Sequence, residues 1–473
     1  MSDVARRRTK DRAAGLPVVP WAILSVRAFW ERPVTLRTLV CLVVAAIAML
    51  VAAFEIAVRP VDAIGGSDVT AYEAYGSNML DGELPYRDFP MEYPPGASPM
   101  FVLPATRLLA GGPTEGASWF PPNAPARRYY RAFTSLVLVL LAAIVVLTAL
   151  TLRQMRRPAR TVVLSLAVVA SSPLLLERVL TERFDVWPAA LTSAALALSV
   201  RGHYRSGGAL VGLGAAAKIY PVLLLPVLVI AVVRLRGVRE ATFVAAAAMG
   251  AAAAVFMPFA IASFSETWEA VRIQFGGGLH IETTASSVLV MTRHAAELLT
   301  TLGLPSPPAL TTKGAGGELV RTNLAGTGVE ATRVVMNALL VTALCLLWIT
   351  AARSREDPRE DLLRYAAATV AVVLVLGTVL SPQYLDWLIP LVPLVGGRRG
   401  AAAMCLFVVA AILTNVWIPD QYFEFQDSLL AGQGALLLAR NLALLATALV
   451  LILPARVLPH WHTTGGRRTA RSA

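Results

Sequence analysis

The side chains that could do chemistry lie in short polar islands between long apolar runs. The first island, Gly66 to Gly96, reads GSDVTAYEAYGSNMLDGELPYRDFPMEYPPG. It carries Asp68, Asp81, Asp88 and Glu92 among Tyr72, Tyr75, Tyr86, Phe89 and Tyr93. ERVLTERFDVWP supplies Glu182, Arg183 and Asp185; AAAKIYP supplies Lys218; QFGGGLHIETTASS supplies His280 and Glu282; SPQYLDWLIP supplies Asp386. A carboxylate so placed can take the proton of an attacking hydroxyl. Arg or Lys can hold a phosphate, Arg through its planar fork. Aromatic faces can stack on sugar rings.

Each island also has a plainer reading. Asp68 precedes VTAYEAYGSNML, which has helical spacing, so it is placed either to cap that helix or to act as a general base. Asp88 beside Arg87 reads as a loop ion pair or a substrate contact, and the aromatic residues as an interfacial belt or a sugar platform. Arg183, between Glu182 and Asp185, is a helix-end salt bridge or a phosphate ligand. Lys218 is one of three lysines against 39 arginines; phosphate contact competes there with snorkelling. Asp386 and Trp387 read as a helix cap and an interface anchor. His280 and Glu282 come without HExxH or another close ligand pair, so no transition-metal site and no cofactor is expected, while a divalent ion on carboxylates stays open. The GGG run is followed by Leu279 and His280 rather than Lys-Ser/Thr, which argues against a nucleotide-binding P-loop.

The elements that position these residues follow from composition. The chain has 473 residues, 56% of them hydrophobic and 15% charged, with mean hydropathy +0.63. Those values exclude a soluble globular protein, and long Leu, Ala and Val blocks indicate helices rather than a barrel. The fold class expected is an all-α polytopic membrane protein. The net charge of +12 is read as basic cytoplasmic loops, not as nucleic-acid binding. Cys41, Cys345 and Cys405 sit inside apolar runs and suggest neither disulfide nor zinc. No cleavable signal is expected, because the apolar run begins only at Leu36.

Spans are expected at about Leu36–Val58, Phe133–Leu152, Thr161–Leu176, Phe184–Val200, a hairpin in 207–233 turning near Lys218 to Pro221, Ala241–Ala262, Val334–Ala352, Tyr365–Leu380, Tyr384–Val395, Ala401–Trp417 and Ala435–Pro454. That is about twelve crossings, with basic tails at 1–35 and 456–473, both cytoplasmic, around a catalytic domain at 36–455. Two long external loops result, 59–131 and 263–330. Within the first, Met100–Ala110 is too short to span and reads as an interfacial or re-entrant helix. Every polar island emerges on the external side.

The ordered series Y-x-x-Y, LDG-x-x-PY, EYPPG, TERFDVWPA, GLGAAAKIYPVLLLP, LHIETTASS and SPQYLDWLIP resembles glycosyltransferase family 87, the polyprenol-phosphate-mannose-dependent mannosyltransferases of the GT-C superfamily. The resemblance implies a GT-C-like bundle whose first external loop holds the catalytic aspartate, here Asp68. It implies a lipid-linked sugar phosphate as donor, with Lys218 at a basic position after the short hairpin helix and His280 among polar active-site residues. Related sequences commonly carry R-G-x-Q-I-E-S where this chain has Gly277 to Thr283, a departure that bears on sugar and acceptor identity.

The expected function is therefore hexosyl transfer, most simply mannosyl, from a polyprenyl-phosphate donor to a lipid or glycan acceptor at the outer face of the plasma membrane. Asp68 is the candidate base, Lys218 and Arg183 the donor-phosphate ligands, and Tyr72, Asp88, Tyr93, His280 and Glu282 the substrate-binding set. Membrane lipids are the remaining expected partners. The rivals are a transporter or lipid flippase, since intramembrane charges also mark transport, and a non-catalytic scaffold.

Overall fold

A computed structural model describes residues 30–58, 68–109, 124–275, 277–302, 305–315, 321–418 and 421–453. Most of both expected basic tails therefore lies outside the described residues. Among the described residues seven helices are long and apolar enough to cross a membrane. These are α1 (Leu36–Ala57), α4 (Ala124–Gln154), α5 (Ala159–Leu176), α9 (Val238–Ala262), α12 (Val329–Arg353), α14 (Gly397–Trp417) and α16 (Ala431–Ile452). The chain is a polytopic membrane protein built almost wholly of helices. α9 and α12 are its most peripheral members, and Met249, Ile261, Val335 and Val341 stand exposed on them as a lipid-facing surface does.

Shorter helices fill the interior. α6 (Val186–Val200), α7 (Tyr204–Ala217) and α13 (Pro358–Leu376) bury most of their residues, and α8 (Leu225–Arg236) buries the face that carries Val227, Leu228, Ala231 and Val232. The apolar run at 207–233 does break at Lys218, whose extended backbone (φ −155°, ψ 139°) ends α7. A 3₁₀ turn, Tyr220–Leu224, then leads into α8. Pro221 cannot donate to the α7 ladder, which fixes the break.

The span expected at Tyr384–Val395 is not an α-helix. Its place is taken by two 3₁₀ segments, Pro382–Leu388 and Val392–Leu394. Pro382, Pro390 and Pro393 remove the donors a regular helix needs. Irregular backbone at membrane depth survives only where protein covers it, and Leu385, Leu388, Leu391 and Val392 are fully buried.

The two long segments expected outside the membrane are folded rather than loop-like. The first contains α2 (Val69–Leu80) and α3 (Ser98–Leu109), and α4 begins at Ala124, before the expected boundary at 131. The second contains α10 (Phe264–Phe275), β1 (Leu279–His280), α11 (Thr284–Thr300), β2 (Leu310–Ala315) and β3 (Arg321–Gly326). The strands form one antiparallel sheet, ordered β1-β3-β2, with His280 opposite Asn323 and Lys313 opposite Asn323 on the other side. Leu279, Leu310 and Leu324 seat this sheet on Trp417 and Leu437 from α14 and α16, and on Phe425 of α15 (Tyr422–Ser428).

Ion pairs lock the opposite end of the bundle. Arg157 meets Glu360 and Arg234 meets Asp361, both at 2.6 Å. Arg364 donates to the terminal carbonyls of α16, Leu451 and Ile452, at 2.7 Å, as a cation at a helix C-terminus should.

Candidate active site

Asp68 opens α2, yet its carboxylate makes no capping bond to the helix backbone. The cap reading therefore fails, and the side chain is used elsewhere. Its Oδ2 pairs with the guanidinium of Arg183 and accepts from the phenols of Tyr72 at 3.4 Å and Tyr93 at 3.5 Å. Burial pushes both phenols up, so they stay neutral donors.

Tyr72 and Tyr93 are not free to carry a sugar. Tyr72 stacks on Phe101 with centroids 4.7 Å apart, and Phe133, Phe184 and Tyr93 close around it. The two tyrosines thus form a wall that orients Asp68. Asp88 is not drawn in. Its carboxylate pairs with the exposed Arg87 at 2.7 Å and accepts from the Leu84 backbone N–H at 2.8 Å. The Arg87 hydrogen bond first, then that N–H, hold the carboxyl down at about 2, and the ion pair expected within this loop is present.

The connection from this wall to the next island is a close backbone contact. A Cβ on Gly96 would lie 2.6 Å from the carbonyl carbon and oxygen of Ala216, near the end of α7. Trp187 of α6 donates from Nε1 to the Gly96 carbonyl at 3.0 Å. Gly96→Ala must therefore lift the segment off α7, beside Lys218. Overpacking of this kind costs about 1–3 kcal/mol, and a shift of about 1 Å at a reacting centre can cost about 10²-fold. The expected result is a loss of activity of that order in a protein whose helix content by circular dichroism is unchanged.

A second ion pair sits beside the first. Lys218 Nζ meets Asp185 Oδ1 at 2.7 Å, with side chains only 8% and 1% exposed. Trp387 Nε1 donates to the same oxygen at 2.8 Å. The ammonium also lies over the rings of Phe184, Tyr384 and Trp387, and Trp387 is sandwiched between Tyr220 and Tyr384. A cation held over aromatic faces is stabilised by their quadrupoles. Snorkelling does not describe so enclosed a lysine. Nor are Asp386 and Trp387 a cap and a lipid anchor: both are buried, and neither Asp386 carboxylate oxygen has a hydrogen-bond partner among the described residues. Asp386 lies in electrostatic reach of Asp185, Lys218 and Arg183.

Arg183 links these pairs to the second external segment. Asp185, Asp386 and Glu282 all act on its charge besides Asp68. His280 is fixed by β1, its N–H donating to Thr378 O at 3.0 Å and its carbonyl accepting from Thr283 Oγ1 and Ser286 Oγ. Glu282 follows in the turn before α11, 5% exposed. Burial pushes its carboxyl up to about 8, against the pull of Arg440 and Arg183. Arg440, buried within α16, donates from Nη2 to the Glu282 carbonyl at 2.7 Å, and Asn441 Nδ2 reaches the same oxygen at 3.3 Å.

The raised Glu282 has a stability consequence. The folded state keeps a proton between pH 4.5 and about 8 that the unfolded chain releases, so this group's contribution falls as pH rises through that window. The slope is at most about 1.4 kcal/mol per pH unit. Thermal unfolding followed from pH 5 to 9 should show wild type losing more stability than Glu282→Gln, which has no proton to lose; parallel curves contradict the assignment.

Arg440 was not singled out from sequence, although a lone arginine in GALLLARNLALL is an intramembrane charge and hence a candidate by default. Among the described residues no group of three or more His, Cys, Asp or Glu is arranged to hold a metal ion.

Asp68, Arg183, Asp185, Lys218, Asp386 and Glu282 thus form one charged cluster with aromatic walls, suited to an anionic group and to proton transfer. Residues 92–382 match the sequence profile of glycosyltransferase family 87. The match spans more than half of the chain and takes in all of the cluster except Asp68 and Asp386; Arg440 also lies outside it. The chain belongs to glycosyltransferase family 87, and it is a membrane glycosyltransferase, using a sugar donor and an acceptor. The transporter and scaffold readings give way to that membership. No curated protein matches the chain.

Proposed function

We propose that the protein transfers a hexose, mannose being the simplest choice, from a polyprenyl-phosphate donor to a lipid or glycan acceptor at the outer face of the plasma membrane. On the topology that this reading proposes, the chain crosses about twelve times with both termini in the cytoplasm, and the folded outer segments bear the charged cluster. The observation that carries the reading is the Asp68–Arg183 pair with Lys218–Asp185 beside it, a base and two phosphate-binding cations in one enclosure.

The donor phosphate enters between Arg183 and Lys218 and competes with Asp68 and Asp185 for them. Arg183 turning to phosphate frees Asp68, whose orientation Tyr72 and Tyr93 maintain. Asp68 then takes the proton of the acceptor hydroxyl. The hydroxyl oxygen bonds to the anomeric carbon as the bond from that carbon to the phosphate oxygen breaks, and polyprenyl phosphate leaves with the electron pair. One displacement inverts the anomeric configuration. His280 and Glu282, with Arg440 behind them, flank the sugar and acceptor side. A lipid-linked donor needs no nucleotide-binding motif.

Purified protein in vesicles containing radiolabelled polyprenyl-phosphate mannose and an extract of envelope lipids provides the test. The expected result is label in a new, larger glycolipid or glycan, with no incorporation from a nucleotide-linked mannose. Incorporation from the nucleotide sugar alone, or movement of labelled lipid between leaflets without a new product, would falsify the proposal.

A further inference from the structure

A groove of about 540 Å³ lies between α3 and α4, lined by Leu103, Pro104, Arg107, Arg128, Arg131, Ala132, Ser135 and Leu136. It is not part of the charged cluster. On α3, Phe101 and Ala105 face Gly76 and Tyr72, whereas Leu103 and Arg107 project from the other side of the helix. On α4, Phe133 and Val137 are fully buried, whereas Arg131 and Ser135 are exposed. The groove and Asp68 are thus on opposite faces of the same helix pair, with the Tyr72, Phe101 and Phe133 rings between them.

Among the described residues three guanidiniums and no carboxylate line the groove. Among the described residues Arg107 and Arg131 make no ion pair. Arg128 and Arg131 also stand near the beginning of α4, whose first turn has no acidic residue. Polarity changes along the groove. From Arg128 to Leu136 is about 12 Å of helix, running from the two arginines into the apolar stretch that follows Arg131. The arginines therefore lie at the membrane boundary and Ala132, Leu136 and Leu103 below them.

We propose that this groove seats the phosphate of an anionic glycerophospholipid, with an acyl chain along Leu103, Ala132 and Leu136. Arginine forks match phosphate oxygens in pairs. A free anion would leave the apolar part of the groove unused. A choline lipid carries the same phosphate but brings a cation among three guanidiniums. The bound lipid braces α3 and α4 from outside while their inner faces hold the wall around Asp68.

Native mass spectrometry of the full chain in detergent, titrated with phosphatidylglycerol or phosphatidylcholine of identical acyl chains, tests this without any sugar donor. Its result is therefore independent of the transfer reaction. Each basic residue near a membrane surface contributes about a fivefold preference for anionic lipid. Through Arg107 and Arg131, wild type should retain phosphatidylglycerol at about a 25-fold lower concentration than phosphatidylcholine. Arg107→Ala/Arg131→Ala should bring the two within about twofold of each other, and Arg37→Ala/Arg239→Ala, at the opposite end, should leave the preference unchanged. Thermal unfolding of each variant confirms that it is folded; if the groove pair is not, Arg131→Ala alone replaces it, with a loss of about fivefold. No preference in wild type, a preference untouched by the groove variants, or an equal loss in the distant pair overturns the proposal. So does displacement of the lipid by millimolar inorganic phosphate, which would make the groove a site for free anions.

Discussion

Asp68→Asn should lower hexosyl transfer by roughly 10² to 10⁴ in turnover, the range that a general base contributes, while the protein stays folded. Asn retains the shape of the side chain and an oxygen for the Tyr72 and Tyr93 phenols, which bond Oδ2 at 3.4 and 3.5 Å. Arg183 loses its closest anion but keeps Asp185 and Asp386 in reach. The change thus removes the proton acceptor with small cost to the surroundings. Single-turnover transfer and thermal unfolding, measured on one preparation, separate the two. Turnover within tenfold of wild type would remove Asp68 from the role of base.

Lys218→Met should act on stability first. The Lys218–Asp185 pair is buried, with side chains 8% and 1% exposed at 2.7 Å. Removing one partner of such a pair costs about 3–5 kcal/mol, because an uncompensated charge remains. Two carboxylates, Asp185 and Asp386, would remain in mutual reach without the ammonium. Adding Asp185→Asn removes one of those charges, and the double variant should recover much of the lost stability. It should not recover donor affinity, since a charge-assisted bond worth about 1.5–3 kcal/mol is still missing, which is a tenfold or greater weakening. Thermal unfolding and equilibrium binding of a polyprenyl-phosphate sugar check the two halves. If the double variant binds donor as wild type does, Lys218 is structural only.

The parts of this fold that sequence made legible are those where one physical cue dominates. Pro221 within an apolar run bounded by basic clusters placed the break at Lys218. Helical spacing after Asp68 placed α2. The Pro-rich stretch around Asp386 was misread because hydropathy alone looks the same in a lipid-facing helix and in irregular chain buried by its neighbours. Pro390 and Pro393 carried the missing information. The sheet of β1, β2 and β3 was hidden in Gly- and Thr-rich sequence whose strands gain their stability from packing on Trp417 and Phe425.

The site was legible as a set of residues and not as a set of partners. Sequence could collect Asp68, Arg183, Lys218, His280 and Glu282 on one side of the membrane. It could not show that Arg183 pairs with Asp68, or that Lys218 pairs with Asp185 and not with a ligand alone. Tyr72 and Tyr93 were placed as sugar contacts because ring type is visible in sequence and ring packing is not. Asp88 followed its nearest neighbour, Arg87, as local ion pairs do.

The central claim is a single displacement in which Asp68 removes the acceptor proton. The anomeric configuration of the product tests it most directly. With a β-linked polyprenyl-phosphate mannose as donor, proton NMR of the isolated product should show the transferred sugar α-linked. A β-linked product would mean two displacements through a covalent sugar intermediate, and would contradict Asp68 as a base in a one-step reaction.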